Sequence, residues 1–421
     1  METFTPATQT ELARFIAGNA GGPRRGLYPA GGRTALTVGS AGGAVNTLID
    51  TTTLNRVVDY PARDMTVTVE AGIRIDDLQA ILKEQGQRLP IDIAQSSRAT
   101  LGGAIATNTS GPRRAGYGTF RDYVIGISAI DAAGRLFKGG GRVVKNVAGY
   151  DICKLLVGSQ GTLAVISQVT LKLRPLPETS ALLWLTFDTF GEVENALERL
   201  LVSDARPVAV EVLNAACARL ISTQSRLELP AESPVLLLGV EGSPHEVDWQ
   251  IEKLRREMVP YGVQLFEKVA ATQTAGLWDA LTEFPTSADE PATFQANLRP
   301  SRAMEFAQRA TELGVAVQVH ATTGIVIGQC PESVATIEQT TELLAELRQL
   351  ACSASGNLSI LHCDAEWQAV LPMWGAAEPG WPLMAQIKRK LDPHWVFNPV
   401  RFGDVSSPVE SSGSRIESQK D

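Results

Sequence analysis

The stretch Thr100–Gly111, TLGGAIATNTSG, decides how the rest of the sequence is interpreted. It contains three glycines and two alanines, and it has no charged, aromatic or proline residue. Glycine lacks a Cβ atom and lets the backbone approach another group closely. The short side chains from Thr107 to Ser110 can donate and accept hydrogen bonds. We therefore expect a loop whose backbone approaches another group closely, with short polar side chains available to complete the hydrogen bonds.

Length and composition limit the class of protein. The 421 residues exceed one average domain of roughly 100–200 residues, so we expect two or three domains. The net charge of -8 argues against a dedicated nucleic-acid-binding protein. The sequence has no secretory signal pattern and no apolar run approaching the roughly 20 residues that span a bilayer. This predicts a cytoplasmic protein, with peripheral docking on the inner face of the membrane through partners as an open alternative.

The residue patterns change near Pro175. Before it, Thr66–Glu70 (TVTVE) is typical of a strand and Ile75–Gly86 (IDDLQAILKEQG) of a helix. Thr162–Leu173 (TLAVISQVTLKL) predicts a long strand that ends before the prolines. After Pro175, strand patterns alternate with amphipathic helices, and Val315–Ile327 is predicted as one strand. The alternation predicts an α+β arrangement with an antiparallel sheet covered on one side by helices.

Two further glycine-rich segments accompany the opening stretch. Pro29–Gly43 (PAGGRTALTVGSAGG) can turn its backbone N–H groups inward to bind a phosphate, although a plain surface loop is the alternative. Lys145–Ile166 (KNVAGYDICKLLVGSQGTLAVI) predicts a short helix and a turn leading into a strand. The backbone after the turn could line a planar ring, and a helix that only packs onto a sheet edge is the alternative. Neither GxxxxGK[ST] nor GxGxxG occurs, so a bound nucleotide requires a fold other than the P-loop or Rossmann fold.

The order of these blocks resembles the FAD-binding domain of the vanillyl-alcohol-oxidase-type flavoproteins, also called PCMH-type. The blocks are GGRT, TVEAG, TLGGAIATNTSG, GYGTFRDYV and GSQGTLAVI, and they cover Leu27–Pro175 densely. Within that family the sequence is most similar to the smaller FAD-binding subunit of bacterial glycolate oxidase. The resemblance implies a two-part FAD-binding domain at 1–176, an α+β cap or substrate domain at 177–384, a segment at 385–403 that returns to the FAD domain, and a disordered tail at 404–421.

The resemblance also implies the cofactor contacts. Carried over residue by residue, these are Gly31, Gly32, Arg33, Thr34, Leu101, Gly102, Gly103, Asn108, Gly118, Arg121, Asp122, Val165 and Ile166. Arg33 occupies a position where such loops often have another glycine. Asn398 to Arg401 also depart from the pattern, because relatives usually have glycine before the arginine.

The histidines and cysteines restrict the chemistry. Many relatives carry an H-x-G-x-G-N-x-H-type metal motif, whereas the region assigned to it here, Ser353–Trp367, has only His362, so we expect no metal site. No histidine precedes Pro175, so FAD cannot be tethered to a histidine there, and we expect it to be non-covalent. The five cysteines form no CxxC pair, which argues against a disulfide framework or a metal cluster and predicts that each is a small buried hydrophobe.

Three residues are candidates for chemistry at the flavin. Strand alternation places His320 on the polar face of its strand, where it could take the hydroxyl proton of a substrate, and a histidine satisfied within the protein is the alternative. Arg299 could bind a carboxylate, with a surface salt bridge as the alternative. Lys145 could approach the flavin, with an exposed lysine before a helix as the alternative.

The resemblance leaves three hypotheses about function. The first is an FAD-dependent subunit of a glycolate oxidase-like complex that oxidises a small 2-hydroxy acid and passes electrons to a larger flavin subunit and an iron–sulfur subunit. The second is a stand-alone flavin dehydrogenase or oxidase of another alcohol or hydroxy acid. The third is a non-catalytic subunit that keeps the flavin domain as a scaffold.

Overall fold

The structure is a computed structural model that describes residues 2–22, 24–40, 47–141, 151–286 and 291–402. Lys145 and the predicted tail at 404–421 therefore lie outside the described residues. The strands are β1 (Glu2–Phe4), β2 (Leu27–Ala30), β3 (Thr47–Asp50), β4 (Val57–Asp59), β5 (Thr66–Glu70), β6 (Gln87–Arg88), β7 (Val124–Ile130), β8 (Leu136–Gly140), β9 (Val165–Lys172), β10 (Arg174–Pro175), β11 (Thr179–Thr186), β12 (Ala209–Leu213), β13 (Val235–Gly242), β14 (Leu265–Lys268), β15 (Ala292–Asn297), β16 (Ala316–His320), β17 (Ile325–Gln329) and β18 (Asn357–Cys363). The α-helices are α1 (Gln9–Gly21), α2 (Ile75–Lys83), α3 (Leu101–Thr107), α4 (Arg114–Tyr117), α5 (Phe120–Tyr123), α6 (Ile152–Leu156), α7 (Phe190–Leu201), α8 (Ala215–Ser225), α9 (Pro244–Met258), α10 (Thr274–Glu283), α11 (Ala303–Glu312), α12 (Ile337–Ser353) and α13 (Trp381–Leu391).

The N-terminal part of the chain builds two sheets. The strands β1, β3 and β2 form a parallel three-stranded sheet, and β4, β5, β9, β7 and β8 follow one another in an antiparallel five-stranded sheet. Val67 and Val69 of β5 are fully buried, as the alternation of TVTVE predicts. Thr68, on the opposite face, meets Thr170 of β9 with their hydroxyl oxygens 2.9 Å apart.

The stretch that opens the sequence analysis forms a helix, and the expectation of a loop is wrong. Helix α3 follows Thr100, which is in an extended conformation, and ends at Asn108 in the left-handed conformation. The Leu101 N–H donates to Ile73 O at 2.9 Å and the Gly102 N–H donates to Ala71 O at 2.7 Å. Tertiary hydrogen bonds to the β5–α2 connection thus stabilise a helix start that contains two glycines, which are poor helix formers.

The C-terminal part builds an eight-stranded antiparallel sheet in the order β14-β11-β13-β12-β16-β17-β15-β18. Helices α7, α9, α11 and α12 pack on one face. Helices α8 and α10 pack on part of the other face. The sheet therefore carries helices on both faces, and the prediction of helices on one face only is wrong. The apolar run VLLLGV of β13 explains this, because Leu236 and Leu238 face the first helix layer while Val235 and Leu237 face the second.

The segment predicted as the single strand Val315–Ile327 is a hairpin. It consists of β16 and β17, which pair with His320 opposite Ile325. Gly324 has a φ of +68°, and a Cβ atom at this position would lie 2.3 Å from Leu298 O. A glycine inside an otherwise apolar run therefore marks the turn, because an L side chain would be both strained and obstructed.

The end of the described chain returns to the N-terminal sheets. The Leu27 N–H of β2 donates to Val396 O at 2.8 Å, and the Asn398 N–H donates to Leu27 O at 3.0 Å. The buried Lys388 ammonium of α13 donates to Thr162 O at 2.6 Å and to the Asp392 carboxylate at 2.5 Å. These contacts stabilise the segment that follows α13 against β2 and β9.

A buried ionic cluster joins the two parts of the chain. Glu241 of β13 accepts hydrogen bonds from Arg88, from Tyr117 at 2.8 Å and from Arg113 Nε at 2.8 Å. The Arg113 guanidinium also lies 3.8 Å from the centre of the Trp278 ring. Burial and Glu241 together raise the pKa of Tyr117 to about 12, so its hydroxyl stays protonated and donates to the carboxylate.

Four of the five cysteines are buried, as predicted. Cys352 is exposed near the end of α12, so the expectation of burial is wrong for this residue. All five are free thiols, in agreement with the absence of a disulfide framework.

Candidate functional site

A cavity of about 520 Å³ lies between the N-terminal sheets and the eight-stranded sheet. Three segments form its walls. They are the loop after β2 (Gly31–Val38), the start and end of α3 with the turn before β9, and the uncovered face of the eight-stranded sheet at β15, β16, β17 and β18. Single residues from other segments, such as Arg114 and Arg401, complete the lining.

The loop after β2 is shaped by the close approach of neighbouring backbone. A Cβ atom at Gly31 would lie 1.9 Å from Thr100 Oγ1, and one at Gly32 would lie 1.7 Å from Arg98 O. Arg33 has a φ of +58°, the left-handed region that favours glycine, which explains why a glycine is common at this position in the resembling family. Its guanidinium bonds to Asp50 Oδ2 at 3.2 Å.

The same loop offers backbone donors to the cavity. The amides of Gly31, Gly32, Arg33 and Thr34 have no acceptor among the described residues. Consecutive free N–H groups form a concave site that attracts anions. The predicted phosphate-binding role of this loop is thus compatible with its geometry.

The two glycines of α3 have different surroundings. A Cβ atom at Gly102 would lie 2.8 Å from the Ala71 Cβ, so this glycine allows α3 to pack against the strand connection. A Cβ atom at Gly103 would meet only Thr100 Oγ1, at 3.3 Å. Gly103 also lines the cavity, and its N–H has no acceptor among the described residues. Both glycines line the cavity, but the Gly102 N–H is used by Ala71 O, so Gly103 is the one of the two that can offer its N–H to a ligand.

Several buried polar atoms around the cavity lack a hydrogen-bond partner in the described part of the chain. They are Thr100 Oγ1, Asn108 Oδ1, Gln160 Oε1, His362 Nδ1, Arg114 Nε and Arg401 Nε. Buried polar atoms are normally paired, because an unpaired one costs roughly 1–3 kcal/mol. Their concentration around one cavity indicates a large polar ligand that supplies the missing partners.

Arg401 connects the C-terminal segment to the loop after β2. Its guanidinium donates to Leu36 O at 3.1 Å and also to Ala35 O, and its own carbonyl accepts from the Trp374 indole at 2.7 Å. Burial lowers the pKa of Arg401 to about 10, so it remains a cation at neutral pH. The sequence analysis noted Arg401 only as a departure from a pattern and did not predict its place at the cavity.

His320 lies on the uncovered face of the eight-stranded sheet. Its Nδ1 is 2.8 Å from both carboxylate oxygens of Glu211, which lies opposite His320 on the neighbouring strand β12. Gln318 Nε2 also donates to Glu211, at 2.8 Å. Both His320 and Glu211 are buried. Burial raises the pKa of Glu211, whereas His320 and Gln318 oppose that rise by stabilising the carboxylate. His320 therefore has a hydrogen-bond partner within the protein and also lines the cavity.

The sequence analysis did not predict the roles of two residues here: Glu211, which pairs with His320 beneath the cavity wall, and His362, which it named only as the single histidine of Ser353–Trp367. Glu211 escaped notice because its partner is 109 residues away in the sequence. His362 of β18 lines the same cavity, and its Nδ1 is buried without a partner among the described residues. Strict alternation along NLSILHC would place His362 on the covered face with Leu358 and Ile360, and only the register shift between β15 and β18 at this point turns it to the cavity.

Five of the predicted site residues do not line the cavity. Leu101 is fully buried in the hydrophobic core. Gly118 precedes the capping box of α5, in which Asp122 Oδ2 accepts from the Thr119 N–H at 2.9 Å. Arg121 donates to Lys154 O at 3.2 Å, and Arg299 is exposed before a short 3-10 turn. The structure therefore places these five residues away from the cavity.

The other predicted residues meet at the cavity. They are Gly31, Gly32, Arg33, Thr34, Gly102, Gly103, Asn108, Val165, Ile166 and His320. In the described part of the chain, no group of three or more histidine, cysteine, aspartate or glutamate residues is arranged to hold a metal ion.

Two family models match the chain. The model of an FAD binding domain matches residues 3–140, and the model of the C-terminal domain of FAD linked oxidases matches residues 176–401. The chain belongs to the FAD-linked oxidases. The resemblance drawn from the sequence is confirmed, and FAD is the cofactor of this oxidoreductase family. The unpartnered amides and buried polar atoms fit a ligand with a diphosphate and hydrogen-bonding rings.

Curated relatives of this FAD-linked oxidase include subunits and dehydrogenases. The chain is 26% identical to glycolate oxidase subunit GlcD of Bacillus subtilis over 83% of this chain and 77% of the relative. It is 31% identical to glycolate oxidase subunit GlcE of Escherichia coli over 49% of this chain and 57% of the relative. It is 35% identical to D-2-hydroxyglutarate dehydrogenase of Xanthomonas citri over 39% of this chain and 35% of the relative.

Solved structures support the fold alone. The substrate-bound structure of p-cresol methylhydroxylase superposes with a TM-score of 0.73 and 13% identity, covering 95% of this chain and 88% of that chain. An alkyldihydroxyacetonephosphate synthase superposes with a TM-score of 0.69 and 18% identity, covering 94% and 76%. The predicted α+β class with a PCMH-type FAD-binding fold is confirmed. Among the described helices, none is both long and apolar enough to cross a membrane.

Proposed function

We propose that this FAD-linked oxidase oxidises a small 2-hydroxy acid as the flavin subunit of a glycolate oxidase-like complex. The observation that carries the proposal is one cavity that joins a cradle of free backbone amides, at Gly31–Thr34, to a wall with two histidines. The relatives named as glycolate oxidase subunits and as hydroxy-acid dehydrogenases support this substrate class.

In this proposal the N-terminal sheets and the C-terminal segment hold the cofactor. The amides of Gly31–Thr34 and Gly103, with the Asn108 side chain and Arg401, bind its polar groups. When bound, the flavin accepts a hydride from the substrate. The proposed domains are the FAD-binding domain at 1–176, the cap or substrate domain at 177–384 and the returning segment at 385–403. The returning segment contributes Arg401 to the same site.

His320 is the proposed base for the substrate hydroxyl. If Glu211 is ionised, the Nδ1–H of His320 donates to it and the lone pair lies on Nε2. Glu211 then stabilises the imidazolium that forms when Nε2 takes the proton. His362 is the second candidate, because its unpartnered Nδ1 can also meet a ligand in the cavity.

We propose that FAD is bound non-covalently. The N-terminal 175 residues contain no histidine. Burial raises the pKa of the Cys153 thiol to about 11, which suppresses the thiolate needed for attachment, and Cys153 does not line the cavity. Precipitation with acid would release all of the flavin into the supernatant, whereas flavin that stays with the protein would contradict this assignment.

Electrons leave through partner subunits in the proposed complex, on the inner side of the membrane. A larger flavin subunit and an iron–sulfur subunit are the partners, as the sequence resemblance implies. Anaerobic reduction of the holoprotein by glycolate, D-lactate and D-2-hydroxyglutarate tests the proposal, with and without the purified partners. We expect flavin bleaching by a 2-hydroxy acid in the assembled complex. Bleaching by the isolated chain with full turnover would favour a stand-alone dehydrogenase, and no bleaching under either condition would favour a scaffold.

A further inference from the structure

Arg114 is the first residue of the short helix α4, which is hydrogen-bonded to the eight-stranded sheet. The Gly116 N–H of this helix donates to Val208 O, directly before β12, at 3.0 Å. A Cβ atom at Gly116 would lie 2.7 Å from the Val208 Cα, so only glycine permits this approach. The backbone of Arg114 is therefore held close to the strand that carries Glu211.

The two adjacent arginines before α4 differ in their partners. Arg113 is neutralised by Asp92 and Glu241 and stacks on Trp278. Arg114 is half-buried and lines the cavity, and it forms no ion pair with a described carboxylate. Its Nε atom is buried and has no hydrogen-bond partner among the residues that the structure describes.

The electrostatic surroundings of Arg114 favour an anion. Burial lowers the pKa of Arg114, and the negative charge of the Glu211 carboxylate opposes this decrease. Glu211 is already hydrogen-bonded to His320 and Gln318, so it does not supply a direct partner. Arginine remains protonated in proteins, and a partly buried cation without a partner is costly.

We propose that Arg114 binds the carboxylate of the substrate and so makes the enzyme select hydroxy acids over neutral alcohols. This inference rests on the proposed function. A guanidinium presents a planar fork that matches a carboxylate with two parallel hydrogen bonds. Arg114 and His320 line the same cavity, and α4 is hydrogen-bonded at Val208, directly before the strand β12 that pairs with β16, so a small hydroxy acid bound to Arg114 would present its hydroxyl group to His320. Arg114 thereby takes the role that the sequence analysis assigned to the exposed Arg299.

The test measures anion binding separately from turnover. Oxalate, a dicarboxylate with no hydroxyl hydrogen to lose, is titrated into the holoprotein while the flavin absorbance and the heat of binding are recorded. Arg114→Met and Arg114→Lys are compared with the wild type, and Arg219→Met, which removes an exposed arginine, is the matched control. We expect Arg114→Met to weaken oxalate binding about 10- to 100-fold, as loss of charge-assisted hydrogen bonds requires. Arg114→Lys is expected to restore part of it.

A second readout compares flavin reduction by glycolate and by ethylene glycol, which lacks the carboxylate. Arg114→Met should raise the KM for glycolate and so reduce the preference for glycolate over ethylene glycol. Oxalate binding within twofold of the wild type, or no oxalate binding by the wild type, would overturn the inference. Loss of FAD from both variants would also overturn it, because the guanidinium would then contact the cofactor.

The outcomes separate this inference from the proposed function. If no 2-hydroxy acid reduces the wild-type flavin but oxalate binding depends on Arg114, the anion site stands and the proposed reaction is wrong. If hydroxy acids reduce the wild type and Arg114→Met equally well, the reaction stands and the role of Arg114 is wrong.

Discussion

Substitution of Gly103 should separate stability from cofactor binding. A Cβ atom at this position meets only Thr100 Oγ1 at 3.3 Å, and Gly103 has no positive φ. Alanine is favoured over glycine in a helix interior by about 1 kcal/mol, so Gly103→Ala should keep or raise the stability of the apoprotein. For a domain of this size, 1 kcal/mol corresponds to an increase in Tm of about 2–4 °C.

The same substitution should weaken FAD binding. The methyl group would extend into the cavity and shield the free Gly103 N–H from a phosphate or ring acceptor. Loss of one hydrogen bond to a charged group costs about 1.5–3 kcal/mol, which corresponds to roughly a 10- to 150-fold increase in Kd. Gly103→Val should have a larger effect, because its branched side chain fills more of the cavity.

The assay combines a fluorescence titration of the apoprotein with FAD and a thermal melt without FAD. Gly32→Ala is the matched control, since its Cβ atom would lie 1.7 Å from Arg98 O and should reduce both stability and FAD binding. An FAD affinity of Gly103→Val within twofold of the wild type would refute the placement of the cofactor beside α3. If Gly103→Ala lowered the Tm of the apoprotein as much as Gly32→Ala does, the conclusion that a Cβ atom fits at Gly103 would be wrong.

Three further predictions concern the buried charges. Glu211→Gln should slow flavin reduction by a 2-hydroxy acid about 100-fold or more in stopped-flow experiments, because the charge that stabilises a protonated His320 is lost, and an unchanged rate would contradict the pair. Lys388→Met should lower the free energy of unfolding by about 3–5 kcal/mol and expose the C-terminal segment to protease, since a buried carboxylate loses its cation, whereas the exposed Lys390→Met should have little effect. Burial opposes the ionisation of Glu241, but two arginines hold its pKa below the ordinary value of 4.5. As pH falls below about 4.5, the unfolded state takes up a proton that the folded state does not, so stability should fall, and Glu241→Gln should show a weaker pH dependence of Tm.

Local patterns were sufficient for many secondary-structure elements. Strand β5 at Thr66–Glu70 has the predicted bounds, because β-branched residues alternate there in the sequence TVTVE. The glycine-rich loop after β2 was also predicted to present its backbone to a ligand. The helix at Leu101–Thr107 was not predicted, because glycine has a low helix propensity and the stabilising acceptors lie at Ala71 and Ile73.

The cavity also has features that the sequence predicts and features that depend on the tertiary structure. The sequence by itself determined the FAD-binding family and the glycine positions, because close backbone approach excludes larger side chains wherever such a loop forms. Only the tertiary structure decided which arginine reaches the cavity, since Arg113, Arg114 and Arg299 have similar local sequence surroundings but different partners. It also decided the pairing of Glu211 with His320, because strand register brings together residues that are 109 positions apart. Charge neutralisation depends on distances in space, and local sequence patterns do not encode those distances.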